Sequence, residues 1–302
     1  MIGKLPNSVS IVVTALAPII WGSTYIVTTE LLPADRPYTA AFIRVLPAGF
    51  LLLLMSFYLP KRKEWGRLII LSALNIGLFQ GLLFVAAYRL PGGIAAVVGA
   101  IQPLLLMLLI WLVDSKAPRI VTVIAATFGV IGMAALLLSP NAEWDLWGII
   151  AAFLGACSMG AGTYLAKRWH SSLPVLAFTG WQLLLGGLML LPAAYFLDPV
   201  LPVLGSTEIL SYAYLSIFGA LIAYLLWFKG IATLPPVAVS SLGLLSPVTA
   251  VVLGWWFLDQ SLQGFALLGL ITVLVSILVV QISSSPKPIS RSKQPVVAEA
   301  KE

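Results

Sequence analysis

Ten apolar runs follow one another along the chain, broken by short polar connections. Their predicted bounds are Val9–Thr29, Tyr38–Leu59, Trp65–Tyr88, Gly92–Val113, Arg119–Leu138, Leu146–Ala166, Pro174–Phe196, Ile209–Phe228, Val237–Leu258 and Gln263–Gln281. Each is close to the roughly 20 residues that a helix needs to cross the hydrocarbon core. The pattern predicts an all-α integral membrane protein of ten transmembrane helices. The short connections make successive helices antiparallel neighbours.

Two of these runs carry the same punctuation. The first reads Leu90-Pro91-Gly92-Gly93, then Gly99, Gln102-Pro103 and Trp111. The second reads Leu234-Pro235-Pro236, then Gly243, Ser246-Pro247 and Trp255. Leu90/Leu234, Pro91/Pro235, Gly99/Gly243, Pro103/Pro247 and Trp111/Trp255 are all 144 residues apart. Five matches at one offset predict a duplicated unit. Fainter echoes set Gly22-Ser23-Thr24-Tyr25 against Ala161-Gly162-Thr163-Tyr164, and Gly49 against Gly186. A proline inside a helix removes one backbone donor and releases a carbonyl. In a bilayer that is tolerated only where protein or a polar cavity meets the freed group. Interrupted helices at matching places in two halves point to a transporter's binding site.

Composition agrees with the membrane assignment. The 302 residues are 60% hydrophobic and 9% charged, with a mean hydropathy of +1.04, whereas soluble domains carry about 25% charged residues. In a soluble protein the net charge of +6 would suggest nucleic acid. Here the basic residues sit in short loops and set topology, so no nucleic-acid partner is expected. The lone Cys157 forms no internal disulfide. The first span is long and polar-studded, without the small-x-small exit of a cleavable signal.

Fourteen of the seventeen basic residues fall on one set of connections: Lys4; Lys61, Arg62, Lys63 and Arg67; Lys116 and Arg119; Lys167 and Arg168; Lys229; and Lys287, Arg291, Lys293 and Lys301. Arg36 and Arg89 fall on the other set, and Arg44 lies within a span. This bias predicts that both termini are cytoplasmic. Asp35, Glu143, Asp145, Asp198, Glu208 and Asp259 crowd the opposite side. Five spans per half is an odd number, so the second copy must lie upside down relative to the first. The expected organisation is a cytoplasmic N-terminus (1–8), repeat 1 (9–138), repeat 2 (146–282) and a Ser/Pro/Lys/Glu-rich tail (283–302) that is disordered in the cytoplasm.

Three features resemble the drug/metabolite transporter superfamily, in its ten-helix branch of two EamA-type repeats. They are Trp21-Gly22-Ser23-Thr24-Tyr25 in helix 1, Arg44-x-x-x-Ala48 in helix 2, and the Pro-opened, Pro-interrupted helices 4 and 9. The stretch from Tyr25 through Glu30, Pro33, Asp35-Arg36-Pro37 and Arg44 to Gly49 is similar to the blue-pigment (indigoidine) exporter-like subgroup. The chain departs from the family pattern at Val45, where an aromatic is usual, at Leu258-Asp259-Gln260 and at Ser276. The resemblance implies a basket of ten helices around a central cavity. It also implies alternating access and export from the cytoplasm of amino acids, related metabolites or pigments, across a bacterial inner membrane.

Polar groups within spans mark candidate sites. Trp21 and Tyr25 lie four apart on one helix face. Asn75, Gln80 and Tyr88 share helix 3, and the two amides offer both donors and acceptors. Gln102 and Ser246 precede the two mid-helix prolines. Tyr164, Tyr214, Tyr224 and Trp227 extend the candidate substrate set. Trp111, Trp255 and Trp256 read as interface anchors. Arg44 has three readings: snorkelling outward, binding a substrate carboxylate, or pairing with Glu30. Lys229 is an anchoring or gating charge, His170 an interfacial residue, and Asp114 and Asp259 loop-end carboxylates. With one His and one Cys far from any paired acid, and no Walker loop, an enzyme, a metal site, a cofactor and ATP-driven transport by this chain alone are not expected. The leading reading is a secondary exporter of small organic metabolites. An importer or multidrug carrier of the same fold is the alternative, and a channel or membrane enzyme a more distant one.

Overall fold

The structure is a computed structural model that describes residues 7–90, 92–137, 145–257 and 264–284. It is all-helical, and ten of its helical stretches are long and apolar enough to cross a membrane. We number them α1 (Asn7–Leu31), α2 (Pro37–Ser56), α3 (Trp65–Ser72 and Phe79–Arg89), α4 (Gly92–Gly99 and Gln102–Asp114), α5 (Ile120–Leu137), α6 (Leu146–Trp169), α7 (Val175–Leu197), α8 (Ser206–Ser216 and Ala223–Thr233), α9 (Pro236–Leu242 and Leu245–Phe257) and α10 (Phe265–Ser284). Of the expected tail (283–302), Ser283 and Ser284 instead close α10; its remainder, Pro91, Glu143 and Asp259 lie outside the described residues.

The offset of 144 read from Pro, Gly and Trp recurs in the backbone. α3 is interrupted by a π-helical turn at Ala73–Leu78 and α8 by another at Ile217–Ile222, each bound 144 residues on from its counterpart. Phe79–Arg89 and Ala223–Thr233 are likewise 144 apart at both ends. α4 breaks at Ala100 and Ile101, and α9 breaks at Gly243 and Leu244. Pro103 and Pro247 therefore open the second segment of each helix. Having no N–H, neither ring can serve the carbonyl four residues back, Gly99 and Gly243 respectively.

Packing places the polar groups inside and the large apolar ones outside. Phe50, Leu112, Ile120 and Leu278 are each more than half exposed, while Arg44, Asn75, Gln80 and Gln182 are nearly fully buried. That inversion suits a lipid surround, where buried polar groups act between helices. The two broadest helix contacts are α2 with α7 and α5 with α10. Both depend on small residues. A Cβ on Gly49 would lie 2.4 Å from the backbone N of Leu184, and one on Gly269 would lie 2.5 Å from that of Leu136. Ser276 Oγ donates to Ala125 O at 2.6 Å across the α5–α10 seam. Loop carboxylates cap two helix starts. Asp198 Oδ2 accepts from Thr39 N at 2.5 Å, and Asp145 Oδ1 accepts from Gly148 N at 2.6 Å, each offsetting an otherwise unpaired N-terminal donor.

Candidate functional site

A cavity of about 520 Å³ lies among α1, α2, α3, α4, α6, α8 and α9. On α1, Trp21, Thr24 and Thr28 share one face at helical spacing and carry the wall up to Leu32 and Ala34 in the α1–α2 connection. Leu83, Phe79 and Phe84 from α3, and Ala152, Ala156 and Met159 from α6, supply apolar wall. Residues before and after the breaks in α4 and α9 complete it, including Gln102, Ser240, Ser246 and Pro247.

The second π-turn organises one side. A π-turn loosens the regular helical ladder, and Gly219 within it takes two side-chain donors. Its carbonyl accepts from Trp21 Nε1 at 2.9 Å and from Arg44 Nη2 at 2.9 Å. A Cβ on Gly219 would lie 3.2 Å from Thr24 Cγ2 and 3.4 Å from Arg44 Nε, so α1 and Arg44 pack closely against this turn. Trp21 then stacks obliquely on Tyr224 and Trp227, with ring centroids 5.1 and 5.2 Å away. The first π-turn is gripped in the same manner by other helices. Ser158 Oγ on α6 donates to Leu74 O at 2.8 Å, and Asn75 Nδ2 donates to Gln182 Oε1 on α7 at 2.8 Å.

Gln80 Nε2 donates to Tyr224 OH at 2.5 Å, and these two residues are themselves 144 apart. Both line the cavity. So do Leu83 and Trp227, Ala96 and Ser240, Gly99 and Gly243, Ala100 and Leu244, and Gln102 and Ser246, every pair at the same offset. Gln80 Oε1, Gln102 Nε2, Trp227 Nε1 and Ser240 Oγ are buried without a partner among the described residues. A buried polar group left unpaired costs about 1–3 kcal/mol, so these four atoms are available to a ligand's hydrogen bonds, beside the hydroxyls of Thr24, Thr28 and Ser246 in the same lining. Among the described residues, its lining holds one charged side chain, Arg44, and no carboxylate.

Of the sequence candidates, Trp21, Arg44, Gln80, Gln102, Tyr224, Trp227 and Ser246 therefore come together. The side chains of Tyr25 and Tyr88 lie outside the described residues. Asn75 is fully buried against α7, away from the cavity lining. A Cβ on Gly162 would fall 2.0 Å from Asn75 Oδ1, so the amide sits tightly in the α3–α6–α7 junction. Asn75→Ala is expected to lower stability by about 1–3 kcal/mol through the orphaned Gln182, read as a reduced midpoint in thermal unfolding of detergent-solubilised protein. Tyr164 is nearly buried at the end of α6, where its hydroxyl donates to Asp114 Oδ1 at 2.9 Å and Arg168 joins both. Tyr214 meets Ser23 Oγ at 2.5 Å. Lys229 is half-buried at the end of α8 and is not part of the lining. Thr24, Thr28 and Ser240 belong to the lining and were not among the sequence candidates. The 21/24/28 spacing on α1, and the position of Ser240 opposite Ala96 in the repeat, were the available signals. No group of three or more His, Cys, Asp or Glu that could hold a metal occurs among the described residues.

Comparison with known proteins places this arrangement. The chain is 43% identical over 267 residues to protein PecM of Dickeya dadantii, covering 88% of this chain and 90% of that one. It is 29% identical over 289 residues to the inner membrane transporter YedA of Escherichia coli, covering 93% and 94%. A solved crystal structure superposes with a TM-score of 0.78 at 17% identity, over 92% of this chain and 98% of the other, which supports the fold. The model of the EamA-like transporter family matches residues 8–138 and again 146–282. The cavity thus lies in a multi-pass membrane transporter rather than an enzyme, and the chain belongs to the EamA-like transporter family.

Proposed function

We propose that this chain is a secondary carrier that moves small organic metabolites, amino-acid-like or planar aromatic, out of the cytoplasm across a bacterial inner membrane. It does so by alternating access between two inverted five-helix repeats whose termini are both cytoplasmic. The observation that carries this reading is the set of offset pairs around the cavity, centred on the bond between Gln80 and Tyr224. Residues exchanged by a two-fold axis can touch only where both lie near that axis, so the axis runs through the cavity. A site on the axis is presented equally to both faces when the halves exchange conformations. The bias of fourteen basic residues onto one set of connections supports the orientation.

Chemistry narrows the cargo. Trp21, Phe79, Phe84 and Trp227 make an apolar, aromatic wall suited to a flat body. The unpartnered amide, indole and hydroxyl groups suit carbonyl or carboxylate oxygens, with Gln80 Oε1 accepting in return. A lining that holds Arg44 and, among the described residues, no carboxylate gives an organic cation no opposite charge to offset its desolvation, which weighs against a multidrug cation carrier. Uptake of radiolabelled amino acids and planar metabolites into everted vesicles tests the reading. Saturable flux is expected for at least one compound, and its absence with inserted protein sinks the proposal. Gln102→Ala and Ser246→Ala are each expected to weaken the saturable component roughly three- to ten-fold, as for one lost hydrogen bond. Both should also shrink the ligand-induced rise in unfolding midpoint at a fixed ligand concentration while leaving expression intact.

A further inference from the structure

A second pocket, of about 330 Å³, lies at the bundle end that bears most of the basic residues. It is formed by the start of α3, the end of α6, the α6–α7 connection and the start of α7, and it shares no lining residue with the central cavity. Its rim and floor differ in character. Lys63 and Arg67 stand four residues apart and exposed at the rim, beside His170, Ser171 and Ser172. The Arg67 guanidinium lies 5.8 Å from the ring centre of Trp169. The floor is apolar: Leu68, Leu71, Leu173 and Phe178 are all nearly buried.

The one carboxylate at the pocket is already engaged in local structure. Glu64 Oε1 accepts from Ser172 Oγ at 2.5 Å, and Oε2 accepts from the backbone N of Lys61 at 2.9 Å. Neither Lys63 nor Arg67 forms an ion pair among the described residues. The pocket therefore combines two cations on one side, an aromatic ring at the edge and an aliphatic depth. It sits where membrane-length helices begin and end, and polar headgroups flank the hydrocarbon core that such helices cross. A free phosphate would use only the rim. An amphiphile with an anionic head uses the rim and the floor together.

We infer that this pocket binds an anionic phospholipid, its phosphate held between Lys63 and Arg67 and an acyl segment lying over Leu68, Leu71 and Phe178. Basic side chains beside an anionic headgroup each contribute enough to change partitioning about five-fold. This site is independent of what the central cavity carries.

The test uses the full chain purified in detergent. Dioleoyl phosphatidylglycerol, dioleoyl phosphatidylcholine and inorganic phosphate are added in separate arms. The unfolding midpoint and the lipid retained in native mass spectrometry are then read. Phosphatidylglycerol is expected to stabilise and be retained in preference to phosphatidylcholine, with inorganic phosphate inert. The double variant Lys63→Gln/Arg67→Gln should bind phosphatidylglycerol about 25-fold more weakly, and the charge-preserving Lys63→Arg/Arg67→Lys should keep the preference. Lys63→Gln alone, at an exposed position, should give about a five-fold loss and serves if the double variant does not fold. Equal stabilisation by both lipids overturns the inference. So does an unchanged preference in a folded neutral variant, and so does full stabilisation by inorganic phosphate, which would assign the rim to a free anion.

Discussion

Replacing Gly49 with valine is expected to abolish most folded protein, and to lower the unfolding midpoint of any that remains more than any other single change discussed above. A Cβ at position 49 would lie 2.4 Å from Leu184 N, 2.9 Å from Leu183 C and 2.9 Å from Leu184 Cα. All three are backbone atoms, so no rotamer change can make room. When flexible side chains can yield, overpacking costs about 1–3 kcal/mol. Here α7 itself must move away from α2, and the loss should exceed the upper end of that range. The affected seam is one of the two broadest in the bundle. Between membrane helices the attraction comes from close van der Waals contact rather than water exclusion, so a widened seam loses most of what held it. Gly66→Ala supplies the control, because nothing lies within 4 Å of its added Cβ; an effect within about 0.5 kcal/mol is expected there. Fluorescence-detected size exclusion and thermal unfolding in detergent read both variants. A valine variant with the wild-type midpoint would mean that α2 and α7 are not packed as described.

Much of this architecture is visible in the sequence because a bilayer leaves few choices. Backbone groups in lipid must be satisfied within the segment, so apolar runs of the right length translate directly into the ten spans. Proline and glycine reveal the breaks in α4 and α9 because their effect on the ladder is local and steric. The π-turns are different. Ile217–Ile222 holds no polar side chain and Ala73–Leu78 holds one, Asn75, and one extra residue per turn leaves hydropathy unchanged. Ser72 and Ser216 immediately precede the two turns at the repeat offset, but a serine within a span does not by itself announce a π-turn. Gln80 and Tyr224 were each noticeable as polar groups within a span, but their separation of 144 becomes meaningful only once the duplication is applied to every polar pair. Asn75 shows the limit of residue type as a guide. Its amide could serve a ligand or a neighbouring helix, and only the placement of Gln182 on α7 decides which group it meets.

The same offset yields the second large effect, an exchange of accessibility between matched positions. Phe79 and Ala95 line the cavity and are half-buried, whereas their counterparts Ala223 and Val239 are 0% exposed in the core. The lining reaches Ala34 in the α1–α2 connection but takes no residue from the α4–α5 or α6–α7 connections. At that other end Asp114, Tyr164 and Arg168 tie α4 to α6, and Lys167 Nζ donates to Ala232 O of α8 at 2.8 Å. If the two halves exchange conformations, Val239 enters the lining as Ala95 leaves it. In a background with Cys157→Ala, Ala95→Cys should react readily with a hydrophilic maleimide in detergent-solubilised protein. Val239→Cys should react about 10- to 1,000-fold more slowly, according to a minor state populated at about 0.1–10%. Adding Asp114→Ala and Arg168→Ala removes a partly exposed ion pair worth up to about 1 kcal/mol. The Val239→Cys rate should then rise by up to about five-fold while the Ala95→Cys rate falls or holds. A substrate that saturates the carrier should move the two rates in opposite directions. Rates that rise together would indicate general loosening of the bundle, and a Val239→Cys variant that never reacts would mean that the halves do not exchange.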